Sequence, residues 1–332
     1  MKRVVSFGEV MLRLSPPGQE RLFQSPQLRT WFGGSEANVA VSLAHLGVRS
    51  DYVTRLPANA VGDAALSALR AEGVGVRGIV RGGDRLGIYF VESGADLRPL
   101  RVVYDRAGSA FARLDPAELD WEGLLGGADW LHLSGITPAL GEGPARAAQE
   151  AVEAARSLGV RVSIDLNYRP ALWAGRDPVP VIRPLVAGCS LLIGNPGAVE
   201  AMLGIPSAGP RPELQKVLRA TAERIASELG IPAVALTRRE VISAGEHGWS
   251  AVLYDRRSAL LHESRRYQVR VVDRVGGGDS FAAALIHALL AGREAQDSLE
   301  FATAASALKL TIPGDFNRVT VDEVERVLQS AL

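Results

Sequence analysis

At 332 residues, 47% of them apolar and 22% charged, the chain can bury a large core and exceeds the usual ~100–200 residues of one domain, so one large domain with an appendage, or two domains, is expected. Formal net charge is zero and no block of like charges occurs, which excludes the electrostatic footprint of a nucleic-acid binder and favours small neutral or anionic ligands. The single cysteine, Cys189, excludes an internal disulfide and any multi-cysteine zinc site, and its apolar surroundings mark a buried structural thiol.

A strand is predicted over 3–7, with no long apolar segment or cleavage site behind it, and no later apolar run nears the ~20 residues that span a bilayer. A cytoplasmic protein without a membrane partner is therefore expected. Residues 11–32 alternate apolar and polar side chains with Pro and Gly between them, and 87–104 do the same. Both suit exposed antiparallel strands, read as a small β-sheet appended to the main body and placed to act as a lid. Between and beyond them, apolar spacings of three and four predict helices over 35–46, 60–72, 143–158, 212–229, 279–290, 295–308 and 321–332. Short apolar runs predict strands over 51–54, 130–133, 161–165, 191–194 and 233–237. Gly47, Gly73, Gly159 and Gly230 close four of the helices. The alternation predicts an α/β protein with a largely parallel sheet, and without repeats or a linker the lid and body form one unit over 1–332.

The strongest chemical signal is Val271-Val272-Asp273-Arg274-Val275-Gly276-Gly277-Gly278-Asp279-Ser280-Phe281, running into an apolar helix. Three glycines at a helix start let backbone amides converge on an anion, aided by the positive end of the helix dipole. A carboxylate at that point would repel phosphate. Asp279 instead suits proton abstraction from a hydroxyl nucleophile while the amides stabilise the transferring phosphoryl group. The plainer alternative is a helix N-cap behind a glycine loop. A second pair, in Phe32-Gly33-Gly34-Ser35-Glu36-Ala37-Asn38, permits close backbone approach, with Asn38 projecting from the same end of a helix toward sugar hydroxyls; alone, it is equally a turn. Only Lys2, Lys216 and Lys309 stand against 34 arginines, and none follows Gly-x-x-x-x-Gly, which excludes a P-loop. Gly8-Glu9-Val10 after the first strand is not Gly-x-Gly-x-x-Gly, which disfavours a dinucleotide-dependent oxidoreductase.

Together the two glycine motifs resemble the signatures of the ribokinase-like (PfkB-type) carbohydrate kinases, and the resemblance runs across essentially the whole chain. It implies a three-layer fold with a central, mostly parallel sheet and a β lid built from about 11–32 and 87–104. It also implies Asp279 as catalytic base and an anion hole from the amides of Gly276, Gly277 and Gly278, where the family has Gly-Ala-Gly-Asp. Leu86-Gly87-Ile88-Tyr89, Val103-Tyr104-Asp105-Arg106, His132-Leu133-Ser134-Gly135, Asp165-Leu166-Asn167-Tyr168-Arg169 and Thr311-Ile312-Pro313-Gly314-Asp315 further resemble 2-keto-3-deoxygluconate kinases. By that resemblance Gly33, Gly34, Asn38, Tyr89, Tyr104, Arg106, Arg169 and Asp315 meet a sugar acid. Arginine forks and phenols suit its carboxylate.

For ATP, the resemblance implies contacts from Asn167, Asn195, Thr237, Arg238 and Thr303 together with Gly276 and Gly278. The nucleotide half also departs from the family. Ala198 replaces the glutamate of Asn-x-x-Glu, with Glu200 two residues on; no glycine follows Thr237-Arg238; and Thr303 stands where many relatives have Asn. Mg²⁺ is expected to arrive with ATP rather than in a protein cage. A monovalent cation such as K⁺ would lie near Asp273 and Val275. The histidines lack metal-ligand spacing, and His132, on a strand, reads as a core residue. The resulting expectation is a sugar-acid kinase acting on the C6 hydroxyl, with a neutral-sugar kinase such as fructokinase and a non-catalytic sugar-binding homologue as alternatives. Lid edges predict a homo-oligomer.

Overall fold

Strand-length apolar runs and amphipathic helices alternate along the chain, and the computed structural model, which describes residues 1–207 and 214–330, arranges them in layers. The chain begins β1 (Arg3–Phe7), β2 (Met11–Ser15), β3 (Arg29–Gly33), α1 (Ser35–His45), β4 (Arg49–Leu56), α2 (Ala60–Ala71) and β5 (Ile79–Arg81). It continues with β6 (Ile88–Glu92), β7 (Arg101–Asp105), α3 (Trp121–Leu125), β8 (Trp130–Ser134), α4 (Glu142–Ser157), β9 (Arg161–Asp165), α5 (Val179–Val186), β10 (Leu191–Gly194) and α6 (Pro196–Leu203). The remainder is α7 (Leu214–Leu229), β11 (Ala233–Ser243), β12 (Glu246–Asp255), β13 (Leu260–Glu263), β14 (Tyr267–Arg270), α8 (Gly277–Leu290), α9 (Ala295–Lys309) and α10 (Val321–Ser330).

The large sheet runs β13-β12-β11-β10-β9-β8-β1-β4-β5, with β14 also paired to β12. Pairing is parallel from β11 through β5 and antiparallel at β11–β12, β12–β13 and β12–β14. Its central strands are apolar on both faces because helices cover both. Val5, Leu131, Leu133, Ile164, Leu192 and Val234 pack toward α3 to α7, whereas Val4, Trp130, Leu191, Ile193 and Ala235 pack toward α1, α8, α9 and α10. Helix α8 is apolar nearly all round, so it sits in the interior: Phe281, Leu285 and Ile286 are fully buried. Each such side chain contributes about 1.5–3 kcal/mol of burial.

The fold follows the expected α/β layout, adds the unpredicted β5, α3, α5 and α6, and differs in the small sheet and beyond β11. The small sheet, β3-β2-β6-β7, uses the expected strands, but β2 and β6 pair parallel because they reach it through separate connections from the main body. The strand expected to end at 237 continues to Ser243 and turns back as β12; this ribbon and β13–β14 were not read from the sequence, since polar residues at 238–240 mask the strand signal. The helix predicted from 212 is described from Leu214, and the predicted ends at 212–213 and 331–332 lie outside the described residues. Gly47, Gly73, Gly159 and Gly230 all adopt positive φ just beyond helices, as expected of closing glycines. Cys189 is buried, and burial pushes its thiol up to about 12. His132 is a core residue beside Ser163, 2.8 Å away, and burial pushes it down to about 3. No helix among the described residues is long and apolar enough to cross a membrane.

Candidate active site

Parallel sheets bind ligands beyond the carboxyl ends of their strands. Here a cleft of about 1110 Å³ opens there, walled by the turns after β1, β8, β9 and β10, by the start of α8 and by the small sheet. That volume exceeds a typical single-ligand pocket and leaves room for two substrates.

At its floor, α8 starts at the turn of Gly276, whose φ of 83° lies in the left-handed region. A Cβ there would stand 2.4 Å from the Asp315 carbonyl oxygen, so only glycine fits. The first turn of the helix then offers amides with no helical partner. Gly277 N–H reaches back to Arg274 O at 3.5 Å, a long contact, while Gly276 and Gly278 donate to no backbone group among the described residues. Asp279 lies in that first turn, buried, with Oδ1 accepting from Ser35 Oγ at 2.9 Å and Oδ2 from Asn38 Nδ2 at 2.7 Å. Asn167 Nδ2 in turn donates to Ser35 Oγ at 2.7 Å. Burial raises the Asp279 carboxyl above the ordinary range, opposed by the bonds from Asn38 and Ser35. Asp165, at the end of β9, is raised to about 7 by burial and then by the charge of Asp279.

The wall formed by the small sheet is an ion-pair network. Arg13, buried under Trp31, reaches Asp315 at 2.9 Å and Asp273 at 2.7 Å. Tyr89 donates its hydroxyl to Asp315 and stacks on Tyr104, centroids 5.9 Å apart. Gly33 lies so close that a Cβ would stand 2.2 Å from Asp315 Oδ1. Arg106 differs from its expected form as a free carboxylate fork: its Nε donates to Glu9 at 2.8 Å and its Nη2 to the same oxygen, with Ser109 on the other oxygen. A partner 97 residues away is invisible to local sequence reading.

The free positive charge lies elsewhere. Among the described residues Arg169 donates only to the carbonyls of Asn167 and Tyr168, and Arg239 and Arg274 line the same cleft. None of the three has an ion-pair partner among the described residues, and burial together with their mutual repulsion lowers Arg239 and Arg274. Three guanidinium groups without an ion-pair partner among the described residues, gathered in one cleft, have the chemistry that suits an anion. Arg239 and Arg274 were not singled out from sequence, although Arg274 sits inside the glycine motif.

Of the residues expected to meet nucleotide, Asn195 caps α6 by accepting from Ala198 N–H at 3.1 Å, Thr237 donates to Gly194 O at 3.2 Å, and both line the cleft with Arg238. Thr303 does not: it is fully buried in α9 and donates to Leu299 O at 2.8 Å. Ala198 is core, and Glu200 is exposed away from the cleft walls, so neither supplies the family carboxylate. Gly34, Asn38, Asn167 and Val275 line the cleft, whereas Gly33 and Asp273 lie behind its wall. No group of three or more His, Cys, Asp or Glu side chains converges as a metal cage among the described residues. The residues near Asp273 do not fit a monovalent cation. The Asp273 carboxylate is taken up by Arg13 and by the amides of Val275 and Gly314, and Lys309 already holds the carbonyls of Ile312 and Gly314.

Layers, small four-stranded sheet and cleft define the ribokinase-like α/β fold. The chain belongs to the pfkB carbohydrate kinase family, whose model matches residues 1–319. It is 33% identical to a 2-dehydro-3-deoxygalactonokinase of Haloferax volcanii over 98% of this chain and 96% of that one. It is 30% identical to a 2-dehydro-3-deoxygluconokinase of Thermoproteus tenax, over 95% and 90% respectively. Among solved structures, the 2-dehydro-3-deoxygluconokinase of Thermotoga maritima superposes with a TM-score of 0.96 at 44% identity, covering 99% of this chain and 100% of that one.

Proposed function

We propose that this protein phosphorylates 2-keto-3-deoxygluconate, or its galactonate epimer, at the C6 hydroxyl with MgATP as donor. The observation that carries the reading is Asp279: a buried carboxylate in the first turn of α8, hydrogen-bonded to Asn38 and Ser35 and favoured in its charged form by Arg169. In the proposed step Asp279 accepts the hydroxyl proton, the sugar oxygen bonds to the γ-phosphorus, and the bond to the bridging oxygen breaks to release ADP. The amides of Gly276 and Gly278 and the guanidinium groups of Arg169, Arg239 and Arg274 meet the charge on the phosphates and on the sugar carboxylate. Mg²⁺ carried by ATP neutralises phosphate charge. Gly34, Asn38, Tyr89, Tyr104 and the Arg106–Glu9 pair shape the sugar side; Asn167, Asn195, Thr237 and Arg238 shape the nucleotide side. Thr303 acts at most through packing.

The small sheet serves as a lid over one continuous kinase unit, in the cytoplasm. Its edge strand β7 exposes Val103 and Tyr104, which suits pairing with a second copy, and sedimentation velocity checks this. A neutral-sugar specificity is less well supported, because it leaves three arginines to the triphosphate alone. The named relatives divide between gluconate and galactonate epimers. The deciding experiment incubates the purified protein with MgATP and each of 2-keto-3-deoxygluconate, 2-keto-3-deoxygalactonate and fructose, following ADP release and locating the phosphate by phosphorus–proton NMR. A strong preference for fructose overturns the acid reading.

A further inference from the structure

Lys309 ends α9 with its side chain fully buried, and its ammonium group donates to the carbonyls of Ile312 at 3.1 Å and Gly314 at 2.9 Å. No carboxylate among the described residues touches it. A full charge held by backbone carbonyls alone is an arrangement usual for a bound alkali ion, and desolvating a lysine in this way is costly unless the charge is used. Burial lowers Lys309 from the ordinary lysine value; Asp273 and Asp315 nearby work against that loss and favour its charged form, while Arg13, which binds both carboxylates directly, opposes it. The buried cluster is therefore two cations against two anions, already balanced without a further ion.

This cluster lies directly beneath the turn that faces phosphate. A Cβ on Gly276 would stand 3.2 Å from Lys309 Cε and 2.4 Å from Asp315 O, so turn, lysine and loop are in contact. Asp273 joins the same two segments, accepting from Val275 N–H at 3.0 Å and Gly314 N–H at 3.1 Å. We propose that the ammonium of Lys309 is a tethered internal cation that fixes the 312–315 loop against the Gly276 turn, so that the phosphate-facing amides and Asp315 are positioned without a monovalent metal ion. A covalently attached charge loses no translational freedom on taking its place, whereas a free ion must be bound from solution. Lys309 is a positioning residue: it reaches no substrate and acts through Gly276 and Asp315. A simple helix-end lysine bonding the last carbonyls is the competing account. That role gives no reason for a dissolved cation to replace it.

The proposal rests on the kinase reading for its activity readout, and a thermal readout stands apart from it. Wild-type kcat is compared in potassium, ammonium and tetramethylammonium chloride at matched ionic strength, and equality within about twofold is expected. Lys309→Ala, which leaves space, is expected to lose about tenfold or more in kcat with smaller changes in KM. Ammonium or potassium then restores kcat severalfold and raises Tm, tetramethylammonium does neither, and Lys309→Met, which fills the space, is not rescued. A potassium-stimulated wild type overturns the proposal by itself, even should Lys309→Ala not fold. So does a folded Lys309→Ala with wild-type kcat, or with a lowered kcat that no small cation moves. The Tm shifts are read without substrate, so a protein that phosphorylates none of the sugars still reports on the cation position, and the kinase reading fails separately.

Discussion

Asp165 gives the most quantitative test of the site's electrostatics. Its carboxyl moves from 3.8 to about 7 on folding, through burial first and the neighbouring Asp279 charge second. The native state thus binds a proton more tightly than the unfolded chain. The associated stability is fully present below the unfolded value and is lost as pH rises through about 7. A shift of roughly three units corresponds to about 4 kcal/mol between the acidic and alkaline limits. Asp165→Asn mimics the protonated form and keeps an oxygen for the Asn167 amide, now bonded at 3.0 Å. Urea unfolding should therefore show the variant exceeding wild type by under about 2 kcal/mol near pH 5, where the unfolded carboxyl is already ionised, and by up to about 4 kcal/mol near pH 9. A stability difference that stays constant across that range, or a less stable variant at alkaline pH, refutes the argument that burial holds this proton.

Three further outcomes follow from the same geometry. Asp279→Asn keeps partners for Asn38 and Ser35 but removes the base, so kcat should fall about 10²–10⁴-fold with sugar KM little changed; kcat within tenfold of wild type, measured by coupled ADP release, would overturn the assignment. Arg239→Met and Arg274→Met each relieve repulsion, raising Tm, yet should raise the KM of ATP or of the sugar acid about tenfold. Initial rates with both substrates varied decide it, and unchanged KM values for both remove these residues from the anion site. Arg13→Met leaves Asp273 and Asp315 buried without their cation and should cost about 3–5 kcal/mol in urea unfolding, against under 1 kcal/mol for the exposed Arg146 of α4 changed the same way.

Local signals carried much of this structure. Strands β1, β9 and β10 match the apolar runs residue for residue, because central parallel strands are bounded by turns and buried on both faces. The start of α8 was legible because three glycines before an apolar helix admit few other structures. What sequence reading missed depends on partners far along the chain. Nothing near Arg106 announces Glu9, and nothing near Lys309 announces the loop that uses its charge. Arg239 was hidden for another reason: it lies on an extension of β11 whose polar residues read as a loop. Among the described residues, the cleft arginines without an ion-pair partner are thus Arg169, Arg239 and Arg274, rather than the expected pair of Arg106 and Arg169.

The links that build the floor of the cleft also govern when it can exist during folding. Asp279 meets Ser35 across 244 residues, and Arg13 meets Asp315 across 302. Contacts of such sequence separation carry the largest loop-closure entropy and are expected late in folding. A ribosome-bound chain lacking the segment around Asp315 can form most of the parallel sheet, yet it leaves Arg13 charged and unpaired on the small sheet. Ligand binding therefore reports on the completed chain and distinguishes it from well-ordered partial products that share its secondary structure.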